Sequence, residues 1–234
     1  MSLLSIHNAS TGYGNKQVLF DITMDVEQGD TVLLVGSNGS GKSTLLKLIY
    51  GLVDVWQGSV DYNGDVLHDL GKRTPTHTLL NRGIMYVPQK NELFDDATVL
   101  ENLQFSLLHL NKRKESDRRI DEVMEEMPLL KERRKQTAGR LSGGERKMLA
   151  LGMVMVNRPK LLLYDEPLSG LSEDNIPDMI DLLGRIHEKG AAILVVEHRL
   201  KGILQIADYV IGLKNGRFYP DIIETMNGIK EFMI

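Results

Sequence analysis

The chain contains no cysteine. This absence excludes disulfide bridges, thiolate zinc sites, iron–sulfur clusters and thiol nucleophiles, and it agrees with a reducing compartment. Long apolar runs are also missing, since no stretch approaches the roughly 18 residues that a membrane-spanning helix needs. The first ten residues have neither the basic segment nor the apolar segment of a secretion signal. We therefore expect a cytoplasmic protein that meets the inner face of the cell membrane only through a partner.

A surplus of positive charge is missing as well. Lysine and arginine total 28 against 32 acidic residues, which gives a formal net charge of −4. Dedicated nucleic-acid binders usually carry a basic surplus. The most basic segment, Asn111–Lys135, holds nine basic and seven acidic residues, a mixture typical of a solvated helix face. We therefore expect no nucleic-acid partner.

Three unbroken apolar runs of strand length indicate the fold class: Thr31–Gly36, Leu161–Asp165 and Ile193–Glu197. Helical patterns over Lys42–Leu52 and Ile176–Lys189 alternate with them. Unbroken apolar strands that alternate with helices favour an α/β fold with a mostly parallel sheet covered on both faces.

Two other regions have different patterns. Leu3–His7, Val18–Val26 and Ser59–Tyr62 alternate between apolar and polar residues, which predicts an N-terminal antiparallel β subdomain at one edge. From Glu92 to Val156 the pattern is helical and highly charged, without a strand. We therefore expect one domain over residues 1–234, with an inserted helical subdomain over about residues 92–156.

The first motif that indicates a function is a complete P-loop between a strand and a helix. Its glycines allow backbone amides to surround phosphates, its lysine places a positive charge on the β- and γ-phosphates, and its last serine can ligate Mg²⁺. A functionless glycine turn is the alternative, but a full match in this setting makes it improbable. The expected nucleotide-binding residues are Gly36, Ser37, Asn38, Gly39, Ser40, Gly41, Lys42, Ser43 and the following Thr44.

Two carboxylates end the second apolar run. Asp165 at a strand tip facing the P-loop can hold Mg²⁺, and Glu166 can then orient or deprotonate the attacking water. An apolar run before Asp-Glu is by itself commonly a strand-end turn. The P-loop in the same chain favours the catalytic interpretation.

A second glycine motif, Leu141–Glu145, precedes the helical run Arg146–Val156. A serine hydroxyl and exposed amides at a helix N-terminus form an anion-binding surface. One nucleotide does not obviously need two such surfaces, but two chains facing head to tail would use both. The alternative is a flexible Gly-Gly turn that caps a helix.

Together these motifs resemble those of the ATP-binding cassette (ABC) ATPases, over nearly the whole chain from Tyr13 to about Gly216. The resemblance implies the ABC ATPase fold with a P-loop NTPase core, and it implies ATP and Mg²⁺ as ligands. Tyr13 then corresponds to the aromatic residue that stacks on adenine, and Ser142, Gly143 and Gly144 to the signature that reaches the partner chain's nucleotide. The resemblance also implies a catalytic set of Lys42, Gln89, Glu166 and His198, and a metal-binding set of Ser43, Gln89 and Asp165. Read singly, Tyr13, Gln89 and His198 also have ordinary structural explanations.

Within that family the chain is most similar to the short cassettes of branched-chain amino acid importers, with lipopolysaccharide-export cassettes nearby. Two positions depart from common patterns: Ser172 stands where many members have Asp, and His198 stands where some importer cassettes have Gln. The intact set of Lys42, Asp165, Glu166 and His198 argues against a non-catalytic scaffold.

The resemblance implies a transporter ATPase subunit that dimerises, with itself or with a related cassette, and that drives separate integral membrane subunits. The alternative is a soluble ABC ATPase outside transport, but the chain lacks the coiled-coil insertion, zinc cysteines or second cassette typical of that class. We expect the membrane subunit to contact the segment from Gln89 to Leu100, where Leu93, Phe94, Val99 and Leu100 either line a groove or belong to the core.

Overall fold

The computed structural model describes residues 2–90, 93–110, 112–200 and 202–219. The strands in chain order are β1 (Leu4–Tyr13), β2 (Lys16–Val26), β3 (Thr31–Val35), β4 (Gln57–Tyr62), β5 (Asp65–Asp69), β6 (Lys72–Arg73), β7 (Ile84–Val87), β8 (Leu161–Asp165), β9 (Ala192–Val196), β10 (Tyr209–Lys214) and β11 (Arg217–Tyr219). The α-helices are α1 (Lys42–Ile49), α2 (Thr76–Asn81), α3 (Val99–Ser106), α4 (Arg113–Glu126), α5 (Pro128–Glu132), α6 (Gly143–Asn157) and α7 (Ile176–Glu188).

A six-stranded sheet in the order β11-β10-β3-β9-β8-β7 forms the centre of the fold. Its strands are parallel except for β11, which pairs antiparallel to β10. Every residue of β3, β8 and β9 is buried, because helices or the second sheet cover both faces, and this explains their unbroken apolar sequences. Since these strands are parallel, the residues that follow them meet at one edge.

A five-stranded antiparallel sheet in the order β2-β1-β4-β5-β6 contains the N-terminal strands. Its apolar side chains share one core with alternate residues of the parallel sheet, such as Val32 and Leu34. The intervening residues Leu33 and Val35 face a second core with α4, α6 and α7. The alternation of a β-strand therefore places β3 between two separate cores.

Helix α1 ends earlier than the sequence pattern predicts, at Ile49 instead of Leu52. Gly51 adopts a φ of 67°, its amide donates to the Leu48 carbonyl, and the Leu52 amide donates to the Lys47 carbonyl. These bonds form a Schellman motif, in which a glycine in the left-handed region ends the helix.

The antiparallel pairing of the predicted N-terminal strands is present, and helices α3 to α6 follow β7 and precede β8. The predicted helical boundary at Glu92 lies outside the described residues. Helix α6 begins at Gly143, before the predicted Arg146, because Ser142 caps it. The sequence patterns missed β5, β6, β7, β10, β11 and α2, and three of these have only two to four residues.

Candidate nucleotide-binding site

The P-loop joins the buried end of β3 to α1. Gly36 is held against β10, since a Cβ at this position would lie 2.2 Å from the Leu213 carbonyl oxygen. Gly39 and Gly41 adopt φ values of 79° and 109°, which glycine alone adopts readily. Gly41 caps α1 without a side-chain hydrogen bond, so the first amides of this helix remain available to an anion.

The remaining P-loop residues differ in exposure. Ser37 and Asn38 are exposed, whereas Ser40 is buried. The Ser40 hydroxyl has no protein partner among the described residues, although its carbonyl accepts a bond from the Gly216 amide at 3.0 Å. The backbone of the loop is therefore anchored to the β10–β11 turn, and the Ser40 hydroxyl is available to another ligand.

Lys42 is buried at the start of α1. Its Nζ donates to the carbonyls of Gly36 at 2.8 Å and Ser37 at 3.0 Å. Burial lowers the pKa of Lys42, and the nearby carboxylates of Glu166 and Asp165 oppose that change. The lysine thus lies at the base of the loop, where a phosphate surrounded by the loop would meet its charge.

Asp165 ends β8 beside the P-loop. Burial raises the pKa of this carboxyl group, and a hydrogen bond from Ser43 is the largest opposing influence. One carboxylate oxygen, Oδ1, is buried and has no protein partner among the described residues. An orphaned buried oxygen beside a hydroxyl is a suitable pair of donors for a hard cation such as Mg²⁺, which commonly takes one or two protein oxygens and completes its shell with phosphate and water.

Glu166 connects three of the predicted residues. Its Oε2 accepts a hydrogen bond from Gln89 Nε2 at 2.6 Å, and its Oε1 lies 3.4 Å from His198 Nε2. The backbone φ of Glu166 is 53°, an unusual value for a residue with a side chain. Gln89 is exposed and approaches from the end of β7, whereas His198 follows β9. Three parallel strands therefore bring these side chains together.

A cavity of about 250 Å³ lies between the P-loop and the Glu166 carboxylate. The residues that line it are Val18, Asn38, Gly39, Gly41, Lys42, Ser43, Thr44, Glu166 and His198. Tyr13 is 47% exposed at the end of β1, and its hydroxyl lies 3.5 Å from Thr44 Oγ1, at the margin of this cavity.

The signature residues lie elsewhere, because neither Ser142 nor the two glycines that follow it line this cavity. Ser142 caps α6: its hydroxyl accepts from the Glu145 amide at 3.3 Å, and its own amide donates to Glu145 Oε2 at 2.8 Å. These two hydrogen bonds form the capping box of a helix N-terminus. Ser142 and Gly143 are exposed and Gly144 is half-buried, so the Ser142–Gly144 surface faces solvent in a single chain.

Comparison with known proteins places these residues in a family. The family model for ABC transporters matches residues 19–169, from the second strand past Glu166. The chain is 38% identical to the high-affinity branched-chain amino acid transport ATP-binding protein BraG of Pseudomonas aeruginosa, over 92% of this chain and 90% of BraG. It is 37% identical to the probable branched-chain amino acid transport ATP-binding protein LivF of Archaeoglobus fulgidus, over 89% of this chain and 86% of that protein.

The chain belongs to the ABC transporter family. A crystal structure of a nucleotide-free ATP-binding cassette from an ABC transporter superimposes with a TM-score of 0.84 at 26% identity, covering 99% of this chain and 95% of the other. The predicted family and fold class are thereby confirmed. The chain is an ATP-binding subunit with ATPase activity.

For this ABC ATPase, no helix within the described residues is both long and apolar enough to cross a membrane. Sequence reasoning missed three residues close to the site: Val18 in the cavity wall, Lys147 and Glu197. Lys147 and Glu197 are both buried and bind the backbone beside Glu166. No spacing in the sequence predicts that Lys147 or Glu197 lies beside Glu166. Their burial depends on how the helices and strands pack.

Proposed function

We propose that this ABC ATPase binds MgATP at its P-loop, completes the site with the Ser142–Gly144 surface of a second cassette, and hydrolyses ATP to drive separate membrane subunits. We also propose that residues 1–234 form one domain with a helical insertion over about residues 92–156. The run of helices from Val99 to Asn157 between β7 and β8 supports this division.

Nucleotide binding rests on the amides of the P-loop and of the first turn of α1. These groups and Lys42 would surround the β- and γ-phosphates, because the helix end and the lysine both favour negative charge there. Tyr13 is exposed at the margin of the cavity, where its ring is accessible to the adenine base. Asn38 and Thr44 complete the cavity wall.

Mg²⁺ would be held by the Ser43 hydroxyl and by Asp165, with Gln89 close to the same carboxylate cluster. Two observations support this assignment: Oδ1 of Asp165 has no protein partner among the described residues, and the Asp165 carboxyl group accepts a hydrogen bond from Ser43. When bound, Mg²⁺ neutralises phosphate charge that develops during the reaction.

Hydrolysis requires a base or an orienting group for water, and Glu166 takes this role. Its carboxylate forms part of the wall of the cavity that contains Lys42, and it can accept the proton of a water that attacks the γ-phosphate. Gln89 fixes one carboxylate oxygen and His198 lies beside the other, so the carboxylate has a defined direction.

The observation that carries the proposal is the convergence of Glu166, Lys42 and Ser43 on one cavity. Phosphate release by the purified chain should require Mg²⁺. It should fall by about 10²-fold or more in Asp165→Asn, because this variant lacks the carboxylate that would hold the metal ion. Hydrolysis that continues at the same rate in excess EDTA, or in a folded Asp165→Asn variant, would remove the metal assignment.

The membrane subunit is proposed to contact the surface that contains Phe94. This ring is 57% exposed and meets Phe105 edge to face, with ring centroids 5.1 Å apart. Val99 is fully buried and belongs to the core, so its alternative placement in a groove is wrong.

A photo-crosslinker at Phe94 should therefore capture the membrane subunit in membranes that contain the complete transporter. The same crosslinker at Leu70, which is 76% exposed on the β5–β6 turn, is the matched control. Products formed only from Leu70 would move the contact to the antiparallel sheet.

We propose branched-chain amino acids as the cargo, because BraG and LivF are described as branched-chain amino acid transport proteins. The chain would then work in the cytoplasm, at the inner face of the membrane. Deletion of its gene should reduce uptake of radiolabelled leucine and leave glutamate uptake unchanged. Normal leucine uptake in the deletion strain, together with defective lipopolysaccharide export, would instead favour the second kind of cassette.

A further inference from the structure

Lys147 is a buried lysine to which the proposed function gives no role. It lies in the first part of α6, only 8% exposed, and its Nζ donates to two backbone carbonyls, those of Glu166 at 2.7 Å and Pro167 at 3.1 Å. Burying an ammonium group is costly unless it is paired. The carbonyls of Glu166 and Pro167 therefore stabilise the buried ammonium group of Lys147, and the ammonium group in turn holds these two carbonyls in place.

The backbone at Glu166 needs such support. Its φ of 53° lies in the left-handed region, which residues with a Cβ avoid. The Glu166 amide donates to the Val196 carbonyl at 2.9 Å, so β9 holds one side of the residue and Lys147 holds the other. The direction of the catalytic side chain follows from this conformation, because the Cα–Cβ bond is fixed by the backbone.

Glu197 also binds this turn, through backbone amides. This carboxylate is 2% exposed and accepts from the amides of Leu168 at 2.6 Å, His198 at 2.8 Å and Arg199 at 3.0 Å. Burial lowers the pKa of Lys147, and the negative charge of Glu197 is the largest influence that opposes this change. Two buried side chains of opposite charge, Lys147 and Glu197, thus bind the backbone of the turn after Glu166, and Glu197 also binds the backbone of His198.

Helix α6 connects this pair to the signature surface. Gly143 is the first residue of α6 and Lys147 lies four residues later, about one helical turn or 6 Å along the axis. A movement of the α6 N-terminus would therefore reach the Glu166 carbonyl through one turn of helix and the Lys147 hydrogen bond.

We propose that Lys147 is a positioning residue that couples the signature helix α6 to the catalytic carboxylate of Glu166. Engagement of Ser142–Gly144 by a second cassette then sets the alignment of Glu166 through the Lys147 hydrogen bonds. The inference rests on the proposed roles of Glu166 and of the signature surface.

The test uses Lys147→Met, which retains most of the buried length and removes the charge and both hydrogen bonds. We expect kcat for ATP to fall by about tenfold or more, while KM and the ATP dissociation constant stay within about twofold, since the phosphate-binding groups are untouched. Lys147→Gln keeps a donor and should recover part of the lost rate. If circular dichroism shows that Lys147→Met is unfolded, Lys147→Gln replaces it in every comparison.

Arg119→Met is the matched control. Arg119 is also a partly buried cation that donates to a carbonyl of α6, that of Val156 at 3.4 Å, but at the opposite end of the helix from Glu166. It should change stability without changing kcat. An equal fall in kcat in both variants would show that Lys147 acts through general stability, and the proposal would be wrong.

A double variant separates this inference from the function on which it rests. If Lys147 acts through Glu166, adding Lys147→Met to Glu166→Gln should leave the residual single-turnover rate within about twofold. A further tenfold loss would overturn the positioning role. Full hydrolysis in Glu166→Gln would refute the proposed base instead, whereas a lost rate there with normal kcat in Lys147→Met would overturn the coupling alone.

Discussion

At the scale of single residues, we expect Lys42 to make the strongest interaction with the phosphates. Its ammonium lies at the base of the loop, bonded to the carbonyls of Gly36 and Ser37, and two carboxylates lie close enough to oppose the lowering of its pKa. A phosphate that enters the loop would exchange these neutral acceptors for charged oxygens. Charge-assisted bonds are about twice as strong as neutral ones, so the lysine favours the bound state.

Lys42→Ala should therefore weaken ATP binding by roughly tenfold to 100-fold and leave the fold intact, as measured by calorimetry and circular dichroism. Lys189→Ala removes an exposed lysine paired with Glu126 at the far end of α7 and should bind ATP normally. Unchanged affinity in a folded Lys42→Ala variant would contradict the role of Lys42. Arginine is a poor replacement here, because its planar fork needs more space than the buried ammonium.

Residues of this site can be predicted from the sequence where chemistry dictates a spacing. The P-loop needs its glycines and lysine in fixed order, and Asp165 and Glu166 follow an apolar strand as a strand tip requires. Lys147 shows the limit of such reasoning: in a helical run that also contains Arg146, a lysine is indistinguishable from a surface cation. Its burial depends on how α6 packs against the turn after β8, which no local pattern encodes.

At the scale of secondary-structure elements, two helices begin with the same capping motif. Thr98 caps α3 and Ser142 caps α6, each in a capping box with a glutamate three residues later. Thr98→Ala and Ser142→Ala should each lower the free energy of unfolding by about 1 kcal/mol in urea titrations. Only Ser142→Ala should also reduce ATP-dependent dimerisation and hydrolysis, because only that cap belongs to the signature surface. Equal losses of activity in both variants would reduce Ser142 to a helix cap.

His68 joins the antiparallel sheet to the end of α1. It is 1% exposed, its Nδ1 accepts from the Thr74 amide at 3.2 Å, and its Nε2 therefore carries the proton that is donated to the Ile49 carbonyl at 3.1 Å. Burial lowers the pKa of His68 below its ordinary value of 6.5. Because the unfolded chain then binds more protons than the folded chain, this residue's contribution to stability is complete above that value and is lost as the pH falls below it.

The free energy of unfolding of the wild type, compared with that of His68→Gln, should therefore decrease between about pH 7.5 and about pH 5 in parallel urea titrations. Glutamine lacks a group that titrates in this range, so the mutant isolates the histidine. A difference that stays constant or grows on acidification would show that His68 is not held neutral by the fold.

The elements are predictable from the sequence where a buried apolar run or a regular alternation marks them. β3, β8 and β9 are fully buried and were evident as apolar runs. β6 has two residues and β7 has four, too few for a periodicity to emerge, and they are strands because neighbouring strands pair with them. β10 and β11 are likewise defined by pairing: β10 lies between β3 and β11, and β11 is an edge strand of the sheet.

At the scale of the whole molecule, the two proposed anion-binding surfaces of one chain are separate, since the P-loop cavity includes none of Ser142, Gly143 and Gly144. A head-to-tail pair of chains would bring each signature to the other chain's P-loop, and a two-fold axis closes this arrangement after two copies. The nucleotide then forms part of the interface, so dimerisation depends on its γ-phosphate remaining in place.

Glu166→Gln tests this arrangement and the division of labour between binding and hydrolysis. The substitution removes the carboxylate charge and keeps the size of the side chain, while Lys42, Ser43, Asp165 and the capped start of α6 are unchanged. ATP should still bind, but the base contribution, typically about 10²–10⁴-fold in rate, should be lost. The bound ATP would persist at the interface, so the mutant should accumulate as a dimer with MgATP while the wild type remains mostly monomeric in dilute solution.

Light scattering with and without MgATP, together with a phosphate-release assay, separates the two claims within this prediction. A mutant that hydrolyses ATP at the wild-type rate would make Glu166 only a strand-end carboxylate. A mutant that loses hydrolysis but stays monomeric would preserve the catalytic role and contradict the shared site. Adding Ser142→Ala to Glu166→Gln supplies the decisive comparison: because the first chain's ATP would contact the second chain's signature, the double mutant should return to monomer while its P-loop still binds ATP.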